Sequence, residues 1–407
     1  MAGLFFTCEC NNYIKKLKME IEVKRKNTVI IAIISILIVS FTLIIKGNEN
    51  IPEKMYSLGY AIIDGDNGRL LYGKDENKMY PMASTTKIMT CILALENGNL
   101  DDEVEISPYA ASMPDVQLNV KAGEKYRLGD LLYSLMLESH NDVAVAIAEH
   151  ISGSVEAFSK LMNEKAGDLG CANALFITPN GLDATTDEGE HSISAYDLAL
   201  IMSYCIRNEK FCEITTAKSH VFTDISGKVR YSVSNKNALL NMMDGVISGK
   251  TGYTGKAGYC YVCAVKRDER TFVIALLGAG WPPKKNYKWT DVKTLIKYGE
   301  SNYFNNNIYK QENYIKNIRI KNGKSDSVWT YSDKNIDLNI CEDDVIEKIY
   351  NIPDEINAPV KRGELAGTVE IYINKELYSV VPVKIYDNIE KRDFKFWCNK
   401  VLDIFLP

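Results

Sequence analysis

The sequence predicts an α+β protein: one antiparallel sheet assembled from the two ends of a helical middle and covered by helices, followed by a small C-terminal β domain. Three observations carry that expectation. Strand-like runs at Tyr60–Asp64 and Arg69–Tyr72 return at Gly258–Val265 and Thr271–Leu277, the stretch between them has helical periodicity, and from about residue 308 short strand-like runs alternate with Asn, Asp and Gly. Strands from both ends of a helical block pair most simply in one sheet, against which each helix buries its apolar stripe.

Gly65-Asp-Asn-Gly68 lies between the first two runs and predicts a hairpin with a four-residue turn. Ser84 to Leu95 is apolar nearly all round past its first turn, the pattern of a helix enclosed by a core, and Gly98 is its stop. Helices are expected over Leu128–Leu137, Asp142–Ile151, Val155–Leu169 and Ser194–Ile206, with Asn or Ser as N-caps and Gly153 and Gly170 as ends. Lys266-Arg-Asp-Glu-Arg270 turns the chain between the last two sheet strands, and a helix near Asn286–Tyr298 closes the unit. Farther on, Val328–Tyr331, Gly367–Ile373 and Leu377–Val383 read as strands of the small domain.

At 407 residues the chain exceeds the usual size of one core, so two folded domains plus attachments are expected. A net charge of -5 and no basic stripe exclude a nucleic-acid partner. Ten cysteines are scattered without zinc-finger spacing, so neither a metal nor another cofactor is expected. Cys260 and Cys263 belong to an apolar strand-like run, where residues three apart face opposite ways and read as core.

From Thr28 to Ile45 eighteen residues carry no charge, just enough to span a bilayer. Lys24-Arg-Lys26 precedes them, which keeps the N-terminus in the cytoplasm and puts everything after Lys46 outside. No small-x-small cleavage site follows, so retention is favoured over cleavage, and Met19 offers a second translation start. Near the other end Phe394, Trp397, Val401 and Phe405 share one helical stripe among basic residues. That stripe reads either as an interfacial membrane helix or as a terminal helix packed on the domain. The expected divisions are a cytoplasmic segment 1–27, a signal-anchor or signal peptide 28–45, a catalytic domain 52–305, a small β domain 308–388 and an amphipathic helix 389–407.

Pro81-Met-Ala-Ser84-Thr-Thr-Lys87 sets a hydroxyl and an amine three residues apart at the start of the enclosed helix, on one face. A serine hydroxyl needs a nearby base to become a nucleophile, and an unpaired buried lysine is costly unless used. Ser139-His-Asn141 falls between two predicted helices, presenting side chains to a cleft or serving as an N-cap. Lys250-Thr-Gly252 leads into the first strand after the helical block, among small residues that admit another backbone. It is not a phosphate-binding loop, since Asp244 occupies the required glycine position.

In the order S-x-x-K, S-x-N, K-T-G, these motifs form the set shared by penicillin-binding proteins and serine β-lactamases. With Ala83–Thr90, Leu131-Leu-Tyr133, Ser139–Asp142, Met162-Asn163, Pro179-Asn-Gly-Leu182, Lys250–Thr254 and Ala257-Gly-Tyr259, the chain resembles the D-alanyl-D-alanine carboxypeptidase family of low-molecular-weight penicillin-binding proteins over roughly residues 56–300. His140 stands where that family commonly has Gly, and Asn180 where it commonly has His.

The resemblance implies the penicillin-binding/β-lactamase-like transpeptidase fold and hydrolysis of the terminal D-alanine of peptidoglycan stem pentapeptides outside the cell. It makes Ser84 the acylated residue, Lys87 its base, Ser139 a proton relay and Asn141 a holder of the substrate amide and of Lys87. It gives Lys250 and Thr251 the terminal carboxylate, places Gly252 beside them, and forms an oxyanion hole from the N–H groups of Ser84 and Tyr253. β-Lactams, which mimic the D-Ala-D-Ala end, should acylate Ser84 and leave slowly.

A serine β-lactamase shares the motifs, but no E-x-x-L-N lies between Ser139 and Lys250 to activate water. A membrane-bound β-lactam sensor should carry a larger cytoplasmic region. A zinc peptidase lacks an H-E-x-x-H among the four histidines.

Overall fold

The computed structural model describes residue 52 and residues 54–405. Its centre is an antiparallel sheet of β1 (Gly59–Asp64), β2 (Leu70–Lys74), β3 (Val246–Thr254), β4 (Gly258–Arg267) and β5 (Arg270–Leu277), in the order β3-β4-β5-β1-β2. The two sequence ends meet where β1 pairs β5, with Ala61 opposite Ala275 and Ile63 opposite Val273. All six residues of β1 are buried because both faces of the sheet are covered. Ala61 and Ile63 face the helical core, while Tyr60 and Ile62 pack with Val292, Leu295 and Ile296, the period-two alternation of a strand.

The helical layer comprises α1 (Lys87–Asn97), α2 (Leu128–Leu137), α3 (Asn141–Ser152), α4 (Val155–Asp168), α5 (Ala195–Cys205) and α6 (Glu209–Thr216). On the opposite face lies α7 (Tyr287–Asn302). Helix α1 is buried from Lys87 through Ala94, as its all-round apolar pattern demands. Ser194 caps α5 by accepting from Asp197 N–H, and Gly153 ends α3 at φ 81°.

Two local differences from the sequence expectation bear on chemistry. Ser84 lies in a 3-10 turn, Ala83–Thr86, that precedes α1. K-T-G lies within β3 rather than ahead of it. As the small residues around Lys250 predict, another backbone approaches here, the Ser84 turn crossing Gly252: a Cβ there would fall 2.9 Å from Ser84 N and 3.0 Å from Thr85 N. Helix α6 and the hairpin Ser219–Thr223/Arg230–Ser234 were not anticipated.

Beyond α7 the chain forms β6 (Asn317–Lys321), β7 (Ser327–Tyr331), β8 (Ile346–Asn351), β9 (Glu355–Asn357), β10 (Leu365–Ile373) and β11 (Glu376–Ile385). They make a six-stranded sheet, β8-β10-β11-β7-β6-β9, over a separate core that includes Ile318, Val328, Val369, Ile371 and Val383. Arg69 joins it to the first sheet, reaching Asp344 Oδ1 at 2.5 Å and Asn339 O at 2.6 Å, while Asn339 Nδ2 donates to Asp64 Oδ2 at 2.8 Å.

In the last helix, α8 (Phe394–Phe405), Phe394, Trp397 and Val401 are exposed rather than packed on the domain. Among the described residues no helix is long and apolar enough to cross a membrane. The expected span Thr28–Ile45, its basic flank, Met19 and the Phe405 side chain lie outside the described residues.

Candidate active site

The Lys87 side chain is fully buried, and its Nζ lies 2.9 Å from Ser84 Oγ, 2.8 Å from Asn141 Oδ1 and 2.6 Å from Asn180 O. Asn141 is oriented by its Nδ2, which donates to Pro114 O and Asp115 O at 3.1 Å each. A carboxamide oxygen and a backbone carbonyl can only accept. A neutral amine therefore gives both its N–H groups to Asn141 and Asn180 and turns its lone pair toward the serine hydroxyl. Burial, reinforced by the charge of Lys250 and opposed by Asp142, holds the amine well below the ordinary lysine range.

The turn that carries Ser84 is itself braced. Ala83 adopts φ 48°, its carbonyl accepts from Thr86 Oγ1 at 2.8 Å, and Gly181 lies so close that a Cβ would sit 2.0 Å from that carbonyl oxygen. Thr86 Oγ1 is also 2.8 Å from His191 Nε2, and His191 Nδ1 accepts from Ile177 N–H at 2.9 Å. An Nδ1 that accepts leaves the ring proton on Nε2, so the neutral imidazole donates to Thr86. Burial, helped by Lys87, lowers His191 to about 4 and keeps it in that form.

Ser139 lies in the middle of the connection from α2 to α3 at φ 72°, with its Oγ accepting from Lys250 Nζ at 3.0 Å. Lys250, 3% exposed, also donates to Thr251 O at 2.8 Å, and burial lowers its amine to about 7. Ser84, Ser139, Lys250, Thr251, Gly252 and Tyr253 line one cleft of about 580 Å³. Lys87 and Asn141 are tied to Ser84 behind its wall. All eight residues singled out in the sequence are thus gathered around one place.

Sequence reasoning missed two contributors. The Asn180 carbonyl belongs to a Pro-Asn-Gly-Leu motif that was noticed only as a likeness, yet it takes the shortest bond from Lys87. Lys285, Lys288 and Trp289 line the cleft from the α7 side. Lys288 Nζ donates to Lys285 O at 2.7 Å and lies 4.5 Å from the Tyr259 ring centre and 4.8 Å from that of Trp289. Burial, then the neighbouring Lys285, lowers it to about 8. The sequence places Lys288 and Trp289 in the helix expected near Asn286–Tyr298 without giving them a part in the cleft.

Fold and cleft together are those of the active-serine enzymes, with a lysine amine placed beside the serine hydroxyl. The family profile for D-alanyl-D-alanine carboxypeptidase matches residues 47–280, and that of the penicillin-binding protein 5 C-terminal domain matches residues 303–391. The D-alanyl-D-alanine carboxypeptidase DacF of Bacillus subtilis (strain 168) is 32% identical over 347 residues, covering 82% of this chain and 86% of the relative. The crystal structure of the D-alanyl-D-alanine carboxypeptidase DacD from Francisella tularensis superposes with TM-score 0.63 at 26% identity, over 84% of this chain and 96% of that one. Penicillin binding protein 5 from Haemophilus influenzae shares the fold, with TM-score 0.68 at 24% identity over 84% and 99%.

This chain belongs to the D-alanyl-D-alanine carboxypeptidase family of penicillin-binding proteins. It is a serine peptidase of the cell wall, and the matches lend no support to the β-lactamase or sensor alternatives.

Proposed function

We propose that the chain removes the terminal D-alanine of peptidoglycan stem pentapeptides through an acyl-enzyme on Ser84, on the outer face of the cytoplasmic membrane. The observation that most directly supports the reading is the buried Lys87 amine, 2.9 Å from Ser84 Oγ with two obligate acceptors on its other side. Lys87 takes the hydroxyl proton as Oγ attacks the scissile carbonyl, whose oxygen lodges between the N–H groups of Ser84 and Tyr253. Ser139, bonded to Lys250, relays the proton taken by Lys87 to the leaving D-alanine nitrogen, which leaves Lys87 neutral again. Water then attacks the ester, with Lys87 again the base, and regenerates Ser84.

Lys250 and Thr251 hold the terminal carboxylate, beside Gly252, and Lys288 with Lys285 adds positive potential on the same side of the cleft. Asn141 positions Lys87 and the substrate amide. β-Lactams enter as substrate mimics and remain on Ser84. No cofactor takes part.

In this reading residues 52–305 are the catalytic domain, 308–388 a β domain and 389–407 a terminal amphipathic segment whose exposed Phe394, Trp397 and Val401 suit a membrane surface. Residues 28–45 anchor the chain or direct its export, with 1–27 in the cytoplasm. The decisive assay pairs fluorescent-penicillin labelling with release of D-alanine from a pentapeptide. Wild type should be labelled and release D-alanine, and Ser84→Ala should do neither; a label that survives in Ser84→Ala overturns the assignment of the nucleophile.

A further inference from the structure

The turn that presents Ser139 and Asn141 carries a histidine between them. His140 is 4% exposed, with Nδ1 2.7 Å from Ser134 Oγ on α2 and Nε2 3.5 Å from Glu138 Oε2. A carboxylate only accepts, so the ring proton sits on Nε2 facing Glu138, and Nδ1 accepts from the Ser134 hydroxyl. At 3.5 Å the Glu138 contact is electrostatic, whereas the Ser134 bond is short and directional.

Glu138 extends the connection. Its Oε1 takes Lys236 Nζ and Ser234 N–H at 3.0 Å each, and Lys236 N–H donates to Leu137 O at 3.1 Å. Next in the chain, Asn237 accepts from the Tyr261 hydroxyl at 2.8 Å. His140 thus stands at one end of a network running from the Ser139 turn to the segment that leads into β3.

A non-glycine residue at positive φ, such as Ser139, is strained and persists only where its surroundings impose it. A glycine at position 140 would offer no side chain with which to impose anything. Here the imidazole does so, directly beside the strained residue.

We propose that His140 is a positioning residue whose imidazole pins the Ser139–Asn141 turn to α2, keeping Ser139 Oγ on Lys250 and Asn141 Oδ1 on Lys87. The proposal rests on the acylation chemistry assigned above to Ser84. The Ser134 hydroxyl can turn to accept as well as donate, so the hold survives protonation of the ring. The charged groups around the ring are Asp142 on α3, Glu138 just after α2, Lys87 on α1 and Lys236 after the hairpin. Burial is the largest influence; Asp142 and Glu138 oppose it, Lys87 and Lys236 reinforce it, and the balance lies below the ordinary histidine value of 6.5. His140 is therefore neutral at pH 7 and charges only on the acid side.

The test measures the second-order rate of labelling by a fluorescent penicillin from pH 5 to 9, on full-length wild type, His140→Gly and His140→Gln. Removing the anchor should slow labelling about tenfold at pH 7.5 in His140→Gly, with kcat for the pentapeptide falling more than KM changes. His140→Gln keeps a donor and an acceptor without a titrating ring, so it should recover most of that rate. That recovery should hold across the whole pH range. A His140→Gly protein with wild-type rate and an unchanged kcat and KM, or a His140→Gln protein that is itself about tenfold slower than wild type, overturns the proposal. If the glycine variant does not fold, the glutamine variant alone decides. Wild type that takes no label at Ser84 sinks the acylation reading and this proposal together, whereas labelled wild type with indifferent variants sinks only this one.

Discussion

Lys87, Lys250 and Lys288 are 0%, 3% and 7% exposed around the catalytic cleft, and none has a carboxylate within ion-pair distance among the described residues. In the C-terminal sheet region Lys316, Lys324, Lys384 and Arg392 each reach one, in Asp354, Glu390, Asp333 and Asp326, at the surface. The difference is one of purpose. A desolvated, unpaired ammonium costs several kcal/mol, and a lysine relieves that cost by giving up its proton, which makes it a base. Exposed pairs contribute about 0–1 kcal/mol each and leave both partners in their ordinary charge states. One region is arranged to have unusual acid–base properties and the other to hold its shape.

The largest expected effect tests the first half of that contrast. Lys87→Ala should slow acylation by about 10⁴-fold, since nothing else near Ser84 Oγ can take its proton. Labelling within tenfold of wild type would mean that some other group is the base. Gly252→Ala comes next: the new Cβ would press on the Ser84 and Thr85 nitrogens, and acylation should fall about 10²-fold through distortion of the oxyanion site. An unchanged rate would show that β3 yields without disturbing the nucleophile.

The third test uses pH. Lys250 at about 7 and Lys288 at about 8 both lie below the ordinary 10.5, so between those values the unfolded chain binds more protons than the folded one. Stability should therefore rise from pH 7 to 9.5, by roughly 2–5 kcal/mol in chemical denaturation. Lys250→Met should flatten the slope, and a wild-type curve that is flat or falling would contradict the burial of these amines. His191 works on the other limb: with its folded value at about 4 against 6.5, stability is present above 6.5 and is lost as the pH falls toward 4. The smallest effects separate the two regions directly. Lys384→Ala should cost under about 1 kcal/mol, while Lys288→Met, which removes an unpaired buried cation between aromatic rings, should gain about 1 kcal/mol and raise KM.

Much of this was legible before any coordinates. The all-round apolar run after Lys87 announced an enclosed helix, and Leu128–Leu137 was readable to the residue because its stripe is regular. Ser84, Lys87, Ser139, Asn141 and Lys250 carry chemistry in their side chains, so motif order could find them. The Asn180 carbonyl could not be found that way, since a backbone oxygen has no residue type to betray it. Lys288 was hidden for a different reason: its burial depends on Tyr259 and Trp289, which only the packing of α7 against the sheet brings together. K-T-G was expected to lead into a strand rather than lie within one because the glycines that let the Ser84 turn approach are the residues that weaken a strand signal.

β3 lies at one end of its sheet, with β4 on one side and, among the described residues, no strand on the other. Such a margin can be extended by any chain that arrives straight enough to run alongside it. The cleft beside β3 thus selects on conformation before chemistry: a slender, extended peptide end can thread along it, while the terminus of a folded protein, tucked into a helix or turn, cannot. An enzyme that meets many free carboxyl ends gains selectivity from architecture alone.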